Sequence, residues 1–391
     1  MRPLDGIKVL DIATLVAGPY AASSLAEFGA DVIKIEKPGT GDTLRQLGTK
    51  SPTGDTYWWL SDARNKKSVE LDLRTKSGAA QFREMAKTAD VIVENFRPGT
   101  LDRWGLGYAS LSAENPGLVM LSITGFGQDG PKANLPGLAR IAEGLAGFTH
   151  LTGEIEGAPL LSGASALSDY ISGTFGAYGV LLARGKDGQG QQVDVALYEG
   201  ILRYLDELAP VYSKTNHVRG RMGSETHRSV PHASYPCSDG TWVAIACTND
   251  SLFGRLAQAM GRTDMLIYDR FSTNAARIAH RSEVNGIVED WTRSMPCAAV
   301  EALCAQHGVP CGPINDIAAT ACDLQVQHRQ SLVSINHDTL GPVTVPNVFP
   351  KLTRTPGRID SLGPALGAHN YLINKPDKPE TSTPTDRKNH V

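Results

Sequence analysis

Asp169 stands within an apolar, glycine-spaced stretch, LSGASALSDYISGTFGAYG, in which Gly173, Gly176 and Gly179 recur every third residue. The spacing predicts a buried helix whose backbone comes close to a neighbour, because glycine has no Cβ to hold the two apart. An acid near the start of such a helix is often only a cap or a dipole-favoured charge. Held ionised by helix N–H groups in a dry pocket, the same carboxylate is a competent nucleophile toward an activated carbonyl. Position alone leaves both roles open.

Basic and polar residues gather near the ends of the expected strands: Lys37, the run Arg64-Asn65-Lys66-Lys67, and Asn95-Phe96-Arg97 with Arg103. Carboxyl ends of strands in open α/β sheets are where ligands bind. The net charge is −3, whereas a nucleic-acid or anionic-membrane partner would call for a basic excess. Cations concentrated at strand ends therefore suit a phosphate-rich small molecule. Three familiar chemistries fit poorly. A dinucleotide fingerprint needs three glycines, and between Asp11 and Ala22 there is only Gly18. Cys304, His307 and Cys311 fall close together without a second ligand cluster, so no metal site is expected. Gly163-Ala164-Ser165-Ala166-Leu167 lacks the second glycine of a hydrolase elbow.

The elements that must position these residues show as an alternation. Strand-length apolar runs (Ile7 to Ile12, Ala30 to Glu36, Val91 to Glu94, Leu118 to Thr124) are interleaved with amphipathic stretches such as Tyr20 to Phe28 and Gly78 to Lys87. That is the signature of βαβ units and a parallel, doubly wound α/β sheet. Residues 213–236 are polar and aperiodic and read as a long crossing or active-site loop. A second α/β unit follows from Trp242. The closing KPDKPETSTPTDRKNHV has a composition that often stays disordered unless a partner holds it. With 391 residues, 41% hydrophobic and 20% charged, the chain suffices for a large domain and a smaller one. The six cysteines are expected as reduced thiols. The charged start, MRPLDGIKVLDIATLV, suits neither a secretion signal nor a membrane span, so a cytoplasmic protein with no membrane partner is expected.

The stretches PLDGIKVLDIATLVAGPYAASSLAEFGADVIKIEKPGTGD, RNKKSVELDLRT, ADVIVENFRPGTLDRWGLGY, SGASALSDYISGTFGAYGVLLA, GQGQQVDVALYE, GVPCGPIND, LTRTPGRID and PALGAHN occur in that order. As a set they resemble the class III CoA-transferase family, also called the CaiB/BaiF family. The resemblance implies a split Rossmann-like large domain with a smaller α/β domain, in two subunits interlocked like chain links to give a homodimer. The implied boundaries are 1–212 for the first part of the large domain, 213–236 for the linker, 237–328 for the small domain, and 329–391 for the return to the large domain and the tail. Coenzyme A thioesters are implied as substrates, with no permanently bound cofactor. Carried over by position, Val16 and Ala17 border CoA, Leu71 to Arg74 line its nucleotide end, Asn95 and Phe96 its pantetheine arm, and Arg103 a phosphate; Asp169 falls on the family's nucleophile. Compared with the formyl-CoA:oxalate CoA-transferases of the family, Ala17 replaces a Gln and Pro38 an Arg, with Lys37 as substitute. The shielding glycine run is reduced to Gly220 and Gly223.

The implied route runs through an aspartyl anhydride and a β-aspartyl-CoA thioester, with backbone N–H groups near Gly223 stabilising oxyanions. Racemases of the same family need a His and an Asp as two bases, the His following the equivalent of Gly137. Here the segment reads Pro136-Gly137-Leu138-Ala139-Arg140-Ile141, without it. A noncatalytic CoA-binding subunit is the reading from another class. Succinyl-CoA or another dicarboxylyl-CoA is the expected donor, because Tyr57-Trp58-Trp59, Arg140 and the basic stretch Arg219 to Arg228, Arg221 included, offer a cation for a second carboxylate.

Overall fold

In the computed structural model, which describes residues 1–163, 166–184 and 188–373, the expected alternation becomes a six-stranded sheet. The strands are β1 (Lys8–Asp11), β2 (Asp31–Glu36), β3 (Lys66–Glu70), β4 (Val91–Glu94), β5 (Val119–Thr124) and β6 (Gln192–Ala196). Their order is β3-β2-β1-β4-β5-β6 and every described pairing is parallel. The chain starts in the middle, winds to one edge, then returns to set β4 beside β1. Val9 is flanked by Val32 on one side and Val91 on the other.

β4 and β5 are buried along their whole length, as strands covered on both faces must be. Val91, Val93, Leu121 and Ile123 face a core completed by the Ala17–Glu27 helix. Ile92 and Met120 face a second core with Phe82 and Ala86 of the Lys76–Ala86 helix. Each such side chain contributes about 1.5–3 kcal/mol on burial, which fixes the register of the strands and so the position of their carboxyl ends.

The Leu167–Ala183 helix carries the glycine stripe, and each glycine meets a different neighbour. A Cβ on Gly173 would lie 2.6 Å from the carbonyl oxygen of Ala17. One on Gly176 would lie 2.9 Å from Leu121 of β5, and one on Gly179 2.8 Å from Val193 of β6. The period-three spacing therefore serves close approach to both the sheet and the first helix.

The described residues divide into two units, one from 1–142, 166–201 and 333 onward, the other from 143–163 and 202–332. In the second, β7 (His232–Pro236), β8 (Trp242–Ala246) and β9 (Cys311–Pro313) form an antiparallel sheet around Tyr235, Val243, Ile245, Val288 and Val300. Several boundaries depart from the sequence reading, and among them the second unit resumes at residue 202, inside the stretch read as large domain, and runs to 332 rather than 328. Residues 143–163 group with the second unit because Arg221 clasps them: Nε donates to Glu154 O at 2.9 Å and Nη2 to Gly157 O at 2.8 Å. β7 starts inside the stretch read as linker, since only its last five residues are extended. The return after 333 is seen in His369, which donates its backbone N–H to Ser68 O at 2.9 Å. All six cysteines are free thiols. Among the described residues no helix is long and apolar enough to cross a membrane. Ser165 and the polar tail lie outside the described residues.

Replacing Gly173 by Ala should destabilise the first unit by about 1–3 kcal/mol, because the obstacle is backbone. Gly144→Ala, whose Cβ would meet nothing within 4 Å, should be neutral or stabilising by up to about 1 kcal/mol. Denaturant titration of the two variants checks the contrast; equal effects would contradict it.

Candidate active site

The carboxyl ends of β1, β4 and β5 border a cavity of about 350 Å³. It lies where the strand order reverses, so the segments after the adjacent β1 and β4 leave in opposite directions and open a crevice between them. Thr14 to Ala17, Asn95 to Pro98, Thr124, Gly125, the stretch 135–138 and Asp169 form its walls. Among the described residues lining it, Asp169 is the only carboxylate, Arg97 the only cation, and none is histidine. Leu138 stands where a racemase would carry its second base.

Asp169 is half-buried in the first turn of its helix, whose N-cap, Ala166, supplies no side-chain cap. The residues on either side are tied down. Ser168 Oγ donates to Ala139 O at 3.2 Å, and the Tyr170 hydroxyl donates to Asp62 Oδ2 at 2.8 Å. Trp58 Nε1 reaches both that carboxylate oxygen, at 2.9 Å, and the Tyr170 hydroxyl, at 2.8 Å. Burial and the Asp62 charge push the Tyr170 phenol above its ordinary range, so it remains a neutral donor. The helix start also favours an anion by roughly 0.3–1 kcal/mol. Tyr57-Trp58-Trp59, read as a substrate loop, instead opens the Tyr57–Asp62 helix, and Trp59 is buried beneath the Arg45 guanidinium, 3.7 Å from its ring centroid.

The turn after β1 is held from two sides. Asn95 Oδ1 accepts from Thr14 N at 2.8 Å and its Nδ2 donates to Thr14 O at 2.6 Å. Leu15 has φ +66°, a left-handed conformation that costs a side-chain-bearing residue about 1–3 kcal/mol. Its N–H donates to Asp42 Oδ1 at 2.9 Å. Beneath the turn lies a buried ion cluster: Lys34 Nζ is 2.9 Å from Asp42 and 3.5 Å from Asp11, and Lys66 Nζ is 2.8 Å from the other Asp11 oxygen. Lys34 also donates to Ala13 O. Burial opposes the charge on both lysines; at Lys34 the fields of Asp11, Asp42 and Glu36 overcome it and raise the pKa, whereas at Lys66 burial prevails and lowers it. The sequence reading missed this cluster, although a lysine between the two isoleucines of the strand DVIKIE was a signal, since a buried strand admits a charge only with a partner.

A second cavity of about 240 Å³ lies at the ends of β2 and β3, with Lys37, Asp42, Leu71 to Arg74 and Trp104 in its walls. Thr14 and Phe96 line both cavities. Of the residues singled out in the sequence, Val16, Ala17, Asn95 and Phe96 thus share the cavity of Asp169, and Lys37, Leu71 and Arg74 line its neighbour. Arg74 grips Asp72 with Nε at 2.8 Å and Nη2 at 2.7 Å, and these bonds hold the Asp72 carboxyl down at about 2. Arg103 lines neither cavity; it is exposed and donates to Thr100 Oγ1 at 3.0 Å. Arg140 also lies outside the walls, because its helix buries Ala139, Ala142, Glu143 and Ala146 and so turns Arg140 outward. In the second unit, the Arg221 guanidinium is taken up by backbone carbonyls and the Gly223 N–H donates to Gly153 O at 3.1 Å. Arg64, Lys66 and Lys67, read as ligand cations, pair with Glu27, Asp11 and Asp31.

The model of CoA-transferase family III matches residues 4–370. The β subunit of the succinyl-CoA–L-malate CoA-transferase of Chloroflexus aurantiacus is 48% identical, over 95% of this chain and 93% of that one. The succinyl-CoA–D-citramalate CoA-transferase of the same organism is 41% identical over 95% and 93%. A CaiB/BaiF family protein from Brucella suis, solved by crystallography, superposes with a TM-score of 0.84 at 34% identity, covering 95% of this chain and 98% of that one.

Glu94, at the end of β4, accepts from Phe96 N at 2.8 Å and so braces the Asn95–Pro98 wall. It is 4% exposed, and burial pushes its carboxyl up to about 7. An unfolded glutamate titrates near about 4.3. Its contribution to stability is therefore whole below that value and lost as pH rises through 7, by up to about 4 kcal/mol. Glu94→Gln should shrink the fall in stability between pH 5 and pH 8 by about 1–3 kcal/mol, with a residual slope from Glu27, which burial also pushes up to about 7. Denaturant midpoints across that range test this, and an unaltered slope would refute it.

Proposed function

We propose that this chain, which belongs to CoA-transferase family III, moves CoA from succinyl-CoA to a small dicarboxylic acid, with Asp169 as nucleophile. The observation that carries the reading is the place of Asp169, the one carboxylate among the described residues that wall a strand-end cavity, set in the first turn of a helix. The substrate class rests on the relatives named for L-malate and D-citramalate, both 2-hydroxy dicarboxylic acids, with succinyl-CoA in each name.

In the proposed reaction an Asp169 oxygen attacks the donor thioester carbonyl, the C–S bond breaks, and CoA thiolate leaves behind a mixed anhydride. The thiolate then attacks the Asp169 carbonyl, expelling succinate and leaving CoA on the aspartate. The acceptor carboxylate attacks that thioester, and a last attack by thiolate on the new anhydride releases acyl-CoA and restores Asp169. Each exchange runs between activated species, which is what the covalent route supplies. No permanent cofactor enters. CoA would lie across both cavities past Thr14 and Phe96, its phosphates near Lys37 and Arg74. Arg97 is the cation left to meet a carboxylate in the cavity of Asp169; this role replaces the one expected of Arg140.

The working unit in this proposal is a homodimer. Tyr178, Leu181 and Leu182 stand 56%, 49% and 64% exposed on the Leu167–Ala183 helix, an apolar face that a second copy would cover. The free thiols fit the reducing cytoplasm.

Asp169→Ala should reduce transfer by at least about 10³-fold, as loss of a covalent nucleophile does. Hydroxylamine should modify Asp169 only while acyl-CoA is present. Undiminished transfer by a complex that contains the alanine variant would assign the chain a noncatalytic CoA-binding role, and label exchange at the α carbon without transfer would assign it to the racemases. A molar mass of two chains in solution supports the dimer; activity only with a second kind of subunit would overturn it.

A further inference from the structure

Asp42 is not in the walls of the Asp169 cavity, yet it governs the shape of the cavity rim. We infer that Asp42 is a positioning residue for the transfer reaction, acting through the backbone of Leu15; the inference rests on Asp169 being the site of transfer.

The rim turns on Leu15, a residue with a full side chain held at φ +66°. Nothing in its own chemistry favours that conformation, so the surroundings impose it. Thr14, just before it, is fixed through both N–H and C=O by Asn95. The N–H of Leu15 is fixed by Asp42 Oδ1. Asp42 has no freedom to follow a relaxing turn: it is 2% exposed, its other oxygen lies 2.9 Å from Lys34 Nζ, and its own N–H donates to Glu36 Oε2 at 2.9 Å. Immediately after Leu15 come Val16 and Ala17, which line the cavity with Asp169 and begin the Ala17–Glu27 helix without a side-chain cap. If Leu15 returned to an ordinary backbone region, these two residues would rotate away from their present places beside Asp169. The path runs from Lys34 through Asp42 to Leu15, Val16 and Ala17, and only these last three line the cavity of Asp169.

Three other roles are open to a buried acid here: a counterion for Lys34 and nothing more, a cap for the Thr43–Arg45 turn, since Oδ1 also accepts from Leu44 N at 2.8 Å, or a direct contact with CoA from the wall of the second cavity. Coupling to residue 15 separates them. In Asp42→Asn, Lys34 claims the amide oxygen and turns the NH₂ toward the Leu15 N–H, so that bond is lost at constant volume. We expect kcat to fall roughly ten- to hundredfold while KM for the CoA thioester moves less than about threefold. Glycine reaches the left-handed region without a clasp, so in a Leu15→Gly background the same Asp42→Asn change should cost less than about threefold. Equal losses in the two backgrounds reduce Asp42 to a counterion or a cap and overturn the inference, and so does a rise in KM with kcat intact.

Should Asp42→Asn fail to fold, residue 15 alone carries the test. Leu15→Val, β-branched, should lower kcat at least about tenfold, and Leu15→Asn, which tolerates the conformation, should lower it less; the reverse order overturns the inference. Amide hydrogen exchange at Leu15 gives a reading independent of catalysis. It should quicken at least about tenfold in Asp42→Asn, in the Asp169→Ala background too, and unchanged exchange defeats the clasp even if transfer at Asp169 is confirmed. Faster exchange in a protein that transfers no CoA would instead leave the clasp standing and defeat the transfer reading.

Discussion

The buried ammonium of Lys34 is the interaction on which the site framework depends. It lies under the carboxyl ends of β1 and β2, between Asp11 of one and the loop acid Asp42, with a further bond to the carbonyl of Ala13. Removing one partner from such a cluster leaves an uncompensated charge in the interior at a cost of about 3–5 kcal/mol. The cluster brings no stability that a well-packed apolar core would lack. What it adds is direction: each charge accepts only a few arrangements of its neighbours, and those arrangements place Ala13, Leu15 and the start of the first helix. Lys66 of β3, joined through Asp11, extends the restraint to a third strand.

A second restraint comes from packing. The Leu167–Ala183 helix can rest against the carbonyl of Ala17 only because residue 173 has no Cβ, and Tyr20 and Tyr170 then meet edge to face with ring centroids 4.8 Å apart. The polar cluster sets where the first helix begins, and the glycine stripe sets how near the second may come. Together they bring Val16, Ala17 and Asp169 to one cavity from segments about 150 residues apart in sequence.

Much of this was legible in the sequence, and the residues show why the remainder was not. Strand alternation located β1, β2, β4 and β5, because burial leaves mainly apolar runs of strand length between the helical stretches. The glycine spacing announced close approach. Lys37, Asn95 and Phe96, read as strand-end residues, line cavities there, as do Leu71 and Arg74, which only the family resemblance pointed to. The fate of an individual charge cannot be read from a sequence. Lys37 and Lys66 look alike as strand-end cations, yet one lines a cavity and the other is sealed against Asp11, a distinction made by which strand lies next in the sheet. Arg140 was misplaced because its helix is short and its buried face becomes apparent only once packed. Asp62 and Tyr170, which fix the turn bearing Asp169, meet across more than a hundred residues and carry no local pattern.

Charge sets the last constraint on the proposed chemistry. An acceptor carboxylate, a departing thiolate and Asp169 are all anions, and two of them must approach within bonding distance. A cavity with further carboxylates in its walls would resist that approach, and at an effective dielectric of 20 two charges 4 Å apart repel by about 4 kcal/mol. Here the described walls hold one carboxylate and one guanidinium, and two helices begin at the same cavity, with N-terminal partial charges that favour anions. In the proposed exchange the negative charge moves from carboxylate to thiolate and back without changing in total. A fixed surround of this kind can therefore serve every step without rearrangement, which is the condition under which preorganised electrostatics accelerates a reaction.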